Sequence, residues 1–319
     1  QRMGYFYING KQYEILAEIN RQQRNKPSNL KSIYLRSNTG EIIQMDNLVE
    51  VQENVAPPQL YHYNRFLSAT ISAGLAKGKL VQSGDIICTA RTQATLDKIK
   101  AIDPDIVTTN DNAFAAREAD LVILAVKPWL MKGVIADLRE HIDPYKQVFV
   151  SVAAGITLEE LSGWISPSCP SYATVFRAIP NTAAAVLESM TFIASANADE
   201  DQIKLVSDIF DEMGTTMYVE ERLIPAGTAL ASCGIAFAMR YIRAASEGGV
   251  EIGFRPEEAR KIVEYTVKGA AELLLASGNN PEVEIDKVTT AGGITIKGLN
   301  EMEHEGFTSA VIKGLKACL

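Results

Sequence analysis

Between about residues 84 and 219, short β-rich runs alternate with longer apolar-periodic stretches, and this alternation restricts the fold more than any other feature. Such alternation is typical of βα units on a parallel sheet. The run Leu121–Val126 is apolar throughout, which predicts a strand buried on both faces. The predicted strands are 86–89, 106–108, 121–126, 147–153, 172–178, 191–194 and 216–219. The predicted helices are 93–101, 112–119, 129–142, 156–165 with Thr157 as its candidate N-cap, and 199–213.

The two ends of the chain differ from this middle part. Beyond about residue 223 the strand signals stop, and periodic Ala-rich sequence predicts helices over 223–252, 256–277 and 295–317. In residues 1–70, alternating runs separated by turn residues predict two β-hairpins instead. We therefore expect an α/β Rossmann-like dinucleotide-binding domain followed by an all-α C-terminal domain and preceded by a β-rich extension. The expected boundaries are 1–72, 73–220 and 221–319.

Charge and hydropathy exclude several classes of partner. The net charge is −8, from 31 Lys+Arg and 39 Asp+Glu, so binding to nucleic acid is not expected. Apolar runs are short, so no segment is expected to span a membrane by itself. The four cysteines and three histidines are too scattered for a zinc site and fit a reducing compartment. We expect a cytoplasmic protein that holds no metal.

Five motifs link the chain to a known family. They are Leu124-Ala-Val-Lys-Pro128, Val150-Ser-Val-Ala-Ala-Gly155, Arg177-Ala-Ile-Pro-Asn-Thr182, Glu251–Glu258 and Val288–Leu299. In their order and spacing they resemble pyrroline-5-carboxylate reductases over about residues 73–319. The resemblance implies an oxidoreductase acting on a CH–NH group, which reduces 1-pyrroline-5-carboxylate to L-proline in the last step of proline biosynthesis.

A cofactor site is expected at the carboxyl ends of the strands. Lys127 and Pro128 follow a buried strand, where open α/β sheets bind ligands, although Pro is also ordinary at a helix start. After the strand 86–89, enzymes that prefer NAD usually carry an acidic residue that binds the ribose 2′-hydroxyl, whereas this chain has Arg91. An arginine there suits the 2′-phosphate of NADP; the alternative is that Arg91 is a solvated surface charge. NADPH is therefore favoured, with NADH as the alternative. Together with the resemblance, this gives the expected cofactor contacts Arg91, Asn112, Ala125, Val126, Lys127, Pro128, Ala154, Gly155 and Asn181.

A substrate site is expected in the C-terminal part. The loop Thr289–Thr295 precedes an apolar helix, so its backbone N–H groups can hold a carboxylate, and Thr295 also suits an ordinary N-cap. The resemblance implies that the Thr295 hydroxyl is catalytic and meets the ring nitrogen, with 228–237 as the opposite wall. The expected substrate contacts are Thr290, Gly292, Gly293, Ser232 and Gly234. Cys233 has no base beside it in this motif and is expected to pack rather than to react.

The resemblance also implies an assembly. The helices beyond residue 223 are expected to interlock with a second copy and complete the site, giving a homodimer or a higher homo-oligomer. A monomeric helical cap is the alternative.

The chain departs from the family where the dinucleotide fold should begin. Such domains open with a strand and Gly-x-Gly-x-x-Gly/Ala, whose glycines let the backbone approach the pyrophosphate. No Gly-x-Gly occurs in this sequence. Residues 71–80 resemble the back half of the family's first helix, but Pro58–Leu67 stands where the strand and loop should be. The missing strand would lie centrally in the sheet.

The first part of the chain carries its own motifs, Gly10–Ile15, Leu30–Arg36 and Val55–Phe66. They resemble part of a periplasmic domain of resistance-nodulation-division efflux transporters, over about residues 1–75. That family continues 68–75 as a strand, whereas the reductase family needs 71–80 as a helix. Because natural folds rarely hold such a local conflict, we interpret the chain as a chimeric reading frame joined within Ile71–Lys79.

Three functions remain open at this point. The first is a pyrroline-5-carboxylate reductase impaired by the lost loop. The second is another imine or keto-acid reductase of the same layout. The third is an inactive chimera or fragment with no catalytic role.

Overall fold

The computed structural model describes residues 80–319 and four strands before them. The chain divides into two compact units, residues 1–62 and residues 63–319. In the first unit, β1 (Arg2–Ile8) pairs antiparallel with β2 (Lys11–Leu16), and β3 (Tyr34–Arg36) with β4 (Ile42–Gln44). These two pairs agree with the expected hairpins. The expected turns, the segment Pro58–Leu67 and the proposed junction Ile71–Lys79 lie outside the described residues.

The second unit contains seven described strands. They are β5 (Ile87–Thr89), β6 (Val107–Thr109), β7 (Leu121–Leu124), β8 (Val148–Ser151), β9 (Thr174–Ile179), β10 (Ser189–Ala196) and β11 (Gly214–Tyr218). Five of them form one sheet in the order β11-β10-β9-β8-β7. β7, β8 and β9 are parallel, with Leu124 opposite Ser151 and Ser151 opposite Arg177. β10 is antiparallel to β9 and parallel to β11.

The sheet is covered on both faces, which explains its apolar strands. On β9, Val175 and Phe176 are both fully buried and lie in different core clusters. One cluster contains Phe176 together with Phe210 of the helix after β10, and the other contains Val175 together with Leu161 of the helix after β8. The core therefore lies above and below β8–β10.

β5 and β6 form a separate parallel pair. Among the described residues no strand joins β5 to β7, which is where the expected first strand would lie. Ile86 and Ile106 nevertheless belong to the same apolar cluster as Val150 and Phe176. The pair therefore packs with the main sheet through side chains.

Five α-helices follow strands of the second unit. They are α1 (Gln93–Ile102), α2 (Asn112–Glu118), α3 (Pro128–Leu138), α4 (Leu158–Ile165) and α5 (Glu200–Asp211). Thr157 is the N-cap of α4, as predicted, and forms a capping box with Glu160. Short 3₁₀ turns occupy Ser83–Asp85, Arg139–His141, Pro170–Tyr172, Thr182–Val186 and Glu221–Leu223.

The C-terminal part is helical, as predicted, with boundaries that correct the sequence analysis. Ile224–Gly227, Thr228–Cys233 and Gly234–Glu251 form one helix, α6, whose middle segment is π-helical. It is followed by α7 (Pro256–Ser277), α8 (Pro281–Val288), α9 (Ile294–His304) and α10 (Phe307–Lys316). The single helix predicted over 295–317 was wrong, because Gly306 adopts φ +79° and separates α9 from α10. Helix α8 was not predicted.

The helix Glu221–Glu251 also corrects the expectation about membrane spans. It is long and apolar enough to cross a membrane by length and composition alone. Its consecutive apolar runs are short because Gly, Thr and Ser residues interrupt them. One such helix is weak evidence, since helices that pack in protein interiors pass the same test.

Candidate active site

The end of β7 leads directly into an uncapped helix. Ala125, Val126, Lys127 and Pro128 are half-buried between Leu124 and α3. Pro128 is the first helical residue, and the N-cap Lys127 makes no side-chain capping bond. The Lys127 Nζ instead lies 5.5 Å from the ring centroid of the exposed Trp129. The positive end of the helix dipole is therefore left to face a ligand.

The end of β8 forms a tight turn before α4. Gly155 has φ +81°, a conformation that favours glycine, and a Cβ there would meet no atom within 4 Å. Glycine is thus needed for the backbone shape rather than for space. Ala154 and Gly155 are both exposed. This turn presents open backbone at the same edge as Lys127.

The end of β9 is held rigidly by Asn181. Its Oδ1 accepts from the Ala183 N–H at 2.9 Å, and its own N–H donates to Ser189 Oγ at 3.1 Å. Asn181 is buried, so these bonds replace water. Because β7, β8 and β9 are parallel and in register, their carboxyl ends share one edge, which brings 125–128, 154–155 and Asn181 together.

Arg91 and Asn112 follow the separate pair β5–β6. Arg91 is exposed in the bend before α1, and Asn112 is the exposed first residue of α2. The cap of α2 is Asp111, whose Oδ1 accepts from the N–H groups of Ala113 and Phe114 at 2.9 and 3.0 Å. Since β5 and β6 are parallel, Arg91 and Asn112 lie at one end of that pair.

Ser232, one of the expected substrate contacts, lies on the π-helical segment of α6. The hydroxyl of Ser232 is buried and has no hydrogen-bond partner among the described residues. An unpaired buried hydroxyl costs about 1–3 kcal/mol, so it is suited to a ligand group. Gly227, just before this segment, lies against the Phe192 ring, where a Cβ would approach to 2.7 Å. Single π-turns in α-helices are frequently found at functional sites.

Cys233 is the last residue of the π-helical segment, and Gly234, the other expected substrate contact on α6, is the first residue of the α-helical segment that follows. Burial raises the pKa of the Cys233 thiol, and the thiol of Cys318, which is hydrogen-bonded to it, raises the pKa further. Cys233 therefore stays protonated near neutral pH, in keeping with the expected packing role in the reductase chemistry.

The loop before α9 is exposed and turned back on itself. The Gly293 N–H donates to Thr290 O at 2.9 Å, and Gly292 has φ +69°. Gly293 is the N-cap of α9 and makes no side-chain capping bond, so the idea that Thr295 is the N-cap was wrong. Thr295 instead lies in the first turn, where its hydroxyl is not used for capping. Ile294 is 89% exposed, so this end of α9 is uncovered in the single chain.

One polar centre was not found from the sequence. Arg177 of β9 is buried, and its Nη1 donates to Glu221 Oε1 at 2.8 Å. The same oxygen accepts from the Leu158 N–H, at the start of α4, at 2.7 Å. Arg177 Nε is buried without a partner among the described residues. Glu221 thereby ties the start of the helical part to β9 and α4, and the 44-residue separation hid this pair from local patterns.

Three family models match the chain. They are pyrroline-5-carboxylate reductase dimerisation over residues 221–319, NADP oxidoreductase coenzyme F420-dependent over 69–155, and the AcrB/AcrD/AcrF family over 1–102. The mainly parallel sheet with its NADP oxidoreductase match, followed by the helical domain, places the chain among the dinucleotide-binding oxidoreductases.

Curated relatives narrow the class to one family. Pyrroline-5-carboxylate reductase 2 of Dictyostelium discoideum is 35% identical over 78% of this chain and 86% of its own length. The chain belongs to the pyrroline-5-carboxylate reductase family. It is 37% identical to pyrroline-5-carboxylate reductase 1 of the same organism, of whose length it spans 46%.

Solved structures agree on the fold. The pyrroline-5-carboxylate reductase from Coxiella burnetii matches with a TM-score of 0.71 and 28% identity, over 80% of this chain and 92% of that one. The Plasmodium falciparum pyrroline carboxylate reductase with NADP bound matches with a TM-score of 0.68, over 78% of this chain and 90% of that one. At 22% identity the second match supports the fold alone. The Rossmann-like and all-α parts predicted from the sequence are confirmed.

Proposed function

We propose that the chain is a pyrroline-5-carboxylate reductase, which reduces 1-pyrroline-5-carboxylate to L-proline with NADPH. The observation that carries the proposal is the buried hydroxyl of Ser232 on the π-helical segment of α6, which has no hydrogen-bond partner in the part of the chain that the structure describes. The family resemblance assigns that segment to the substrate wall. A second support is the uncapped start of α9, which suits the carboxylate of a small imino acid. Here Thr290, Gly292 and Gly293 would hold the carboxylate.

NADPH fits the residues at the strand ends. The backbone at 125–128 and 154–155 would border the nicotinamide half, with Asn181 fixing the edge. Asn112 would contact the adenosine part, and Arg91 would pair with the 2′-phosphate; NADH remains the alternative donor. When bound, NADPH supplies a hydride to C5 of the imine ring.

The chain's own contribution is mainly positioning. A protonated imine is already electrophilic, so little acid–base catalysis is needed. In the proposal the Thr295 hydroxyl meets the ring nitrogen and fixes the ring, while Ser232 and Gly234 close the opposite side. The half-buried segment 125–128 limits the access of water to the reacting carbon.

Activity is expected to be impaired. The family's phosphate loop has no counterpart in the sequence, because no Gly-x-Gly occurs. The pyrophosphate would then bind without the glycine turn that allows close backbone approach. An inactive chimera is therefore the second candidate function, and the absent loop is the observation that favours it.

The working form is proposed to be a homodimer or a higher homo-oligomer. Large apolar side chains are uncovered on the helical part, including Ile252 at 79% and Leu275 at 81% exposure. The dimerisation model of the family spans this same part, residues 221–319. A second copy would bury these side chains. It would also cover the start of α9 and so complete the substrate site. A nucleic-acid or membrane partner is not proposed.

The first part of the chain is proposed to come from a transporter. The AcrB/AcrD/AcrF match and the NADP oxidoreductase match overlap over residues 69–102, which includes the junction expected within Ile71–Lys79. A chimeric reading frame accounts for both. Localisation in the cytoplasm is proposed from the reductase part.

The proposed function is tested with NADPH and 1-pyrroline-5-carboxylate, by following NADPH absorbance and by identifying proline. Thr295→Ala is expected to lower kcat/KM about 100-fold, since one positioned hydroxyl is lost. Thr308→Ala, an exposed threonine on α10, is the matched control and should leave kcat/KM unchanged. NADPH binding without proline formation would indicate another imine reductase, and no NADPH binding would indicate the inactive chimera.

A further inference from the structure

A single carboxylate oxygen joins three elements beside the strand ends. Glu221 Oε1 accepts from the Arg177 guanidinium on β9 at 2.8 Å and from the Leu158 N–H at the start of α4 at 2.7 Å. Glu221 itself begins the 3₁₀ turn that leads into α6. Arg177 lies four residues before Asn181, and Leu158 lies three residues after Gly155. The contact thus connects two of the expected cofactor segments with the start of α6.

Arg177 occupies an unusual position for a charged side chain. Val175 and Ile179, which share its face of β9, belong to the apolar cluster that also contains Leu161 of α4. The Arg177 side chain is only 7% exposed. Replacing a buried ion pair by apolar side chains of similar volume is often neutral or stabilising, so stability alone does not explain a charge here. A buried ion pair can instead fix one arrangement of the elements that it joins.

Apolar contacts hold the first turns of α6 against the sheet. Ile224 is buried in the same cluster, and Gly227 lies against the Phe192 ring. Hydrophobic contact is non-directional, whereas a hydrogen bond weakens steeply when its angle is poor. The bonds of Glu221 therefore set where the start of α6 lies along the sheet. From Glu221 to Ser232 the chain advances roughly 16 Å, mostly as continuous helix, which carries this placement to the proposed substrate wall.

We propose that Arg177 and Glu221 are positioning residues, which set the distance between the cofactor edge and the substrate wall. This role rests on the proposed reductase function. Hydride transfer needs its donor and acceptor atoms about 3–3.5 Å apart, and a misplacement of about 1 Å can cost about 100-fold in rate. Neither side chain contacts the substrate in this arrangement. Their loss should therefore lower kcat and leave NADPH binding nearly unchanged, because the strand-end segments stay in place.

The test removes both charges at once. Arg177→Met combined with Glu221→Gln leaves no buried charge unpaired and keeps an acceptor for the Leu158 N–H, so the melting temperature should stay unchanged. The matched control is Glu220→Gln combined with Arg222→Met, because this exposed pair flanks Glu221 in the sequence. Glu221→Asp keeps the charge on a shorter side chain. It is the second variant should the double one not fold, and it should lower kcat likewise.

Proline formation, NADPH binding and the melting temperature are measured on the full chain. For the double variant at Arg177 and Glu221 we expect a kcat about 100-fold lower, with the NADPH Kd within about twofold of that of the unsubstituted chain. The control should change none of these quantities. An unchanged kcat would overturn the proposal. A loss of kcat that accompanies a weaker NADPH affinity would also overturn it, because the pair would then serve cofactor binding.

Hydrogen exchange needs no activity and separates this role from the reductase function. If the unsubstituted chain forms no proline, the proposed function fails, and the backbone amides of residues 224–233 test whether the pair places α6. These amides should exchange about tenfold faster in the double variant than in the unsubstituted chain or the control, as expected when a hydrogen bond to a charged group is lost. Equal exchange in all three proteins would overturn the positioning role.

Discussion

Residues 80–220 and residues 221–319 differ in where their apolar side chains lie. In the first region Phe176, Phe210 and Ile193 are completely buried within one chain. In the second region only Ile224, Gly227, Ala229 and Ala259 are buried, and Leu275 and Ile294 are almost fully exposed. The first region therefore buries its large apolar side chains within one chain, whereas we propose that the exposed ones of the second are covered by another copy of the chain.

The largest effect is expected from a change inside the first region. Phe176→Ala removes a fully buried ring and should lower the free energy of unfolding by about 4 kcal/mol. Urea denaturation of the unsubstituted and substituted chains measures this loss. Leu275→Ala, an 81% exposed control in the second region, should leave the stability of the α/β part unchanged. If Phe176→Ala and Leu275→Ala lowered the free energy of unfolding equally, the two regions would not differ in how far their apolar side chains are buried within one chain.

The next effect concerns the link between the two regions. Glu221→Gln leaves the buried guanidinium of Arg177 without a counter-charge and should cost about 3 kcal/mol of unfolding free energy. Glu220→Gln is the matched control, because Glu220 pairs with Arg222 and both side chains are about 70% exposed. Exposed pairs contribute about 0–1 kcal/mol. Denaturation midpoints that shift alike in both variants would show that the Arg177–Glu221 pair does not stabilise the junction.

A change on the outer side of α7 tests the second region. Ile262 and Leu273 are three turns apart on one side of the helix, and both are exposed. Leu273→Arg should weaken self-association by about 2 kcal/mol, roughly 30-fold in Kd, because a charge would enter the buried contact. Sedimentation velocity measures the change, with Lys268→Glu on the same helix as the control. Unchanged association of Leu273→Arg would place the contact elsewhere.

The smallest effect is expected at a helix start in the first region. Thr157→Ala removes the cap of α4, whose hydroxyl accepts from the Glu160 N–H at 3.1 Å. The loss should be about 1 kcal/mol, measured by urea denaturation. Thr157→Ser keeps the hydroxyl and should restore most of the stability. If the serine variant loses as much as the alanine variant, the capping bond is not the cause.

The fold was predictable where local chemistry decides it. The apolar run at Leu121 predicted β7, and Thr157 with Glu160 predicted the start of α4. The break at Gly306 was missed because periodic apolar residues continue on both sides of it. The edge formed by β7–β9 was predictable because parallel strands share their carboxyl ends.

Other parts of the candidate site depend on residues far apart in the chain. The sequence indicates only that Arg177 lies in a strand motif. Tertiary packing brings Glu221 to it. The π-helical turn at Thr228–Cys233 follows likewise from packing. We propose that a second copy brings Thr290–Thr295 to the strand ends, and this arrangement stays a prediction.

The most direct measurement compares NADPH-dependent proline formation by this chain with that by a repaired version. In the repaired version, residues 1–70 are replaced by a strand and a Gly-x-Gly-x-x-Ala loop. The prediction is that the repaired version forms proline at least about 100-fold faster, because the pyrophosphate regains its backbone contacts. Comparable rates would contradict the central claim, since the phosphate site would then be supplied by other residues of this chain.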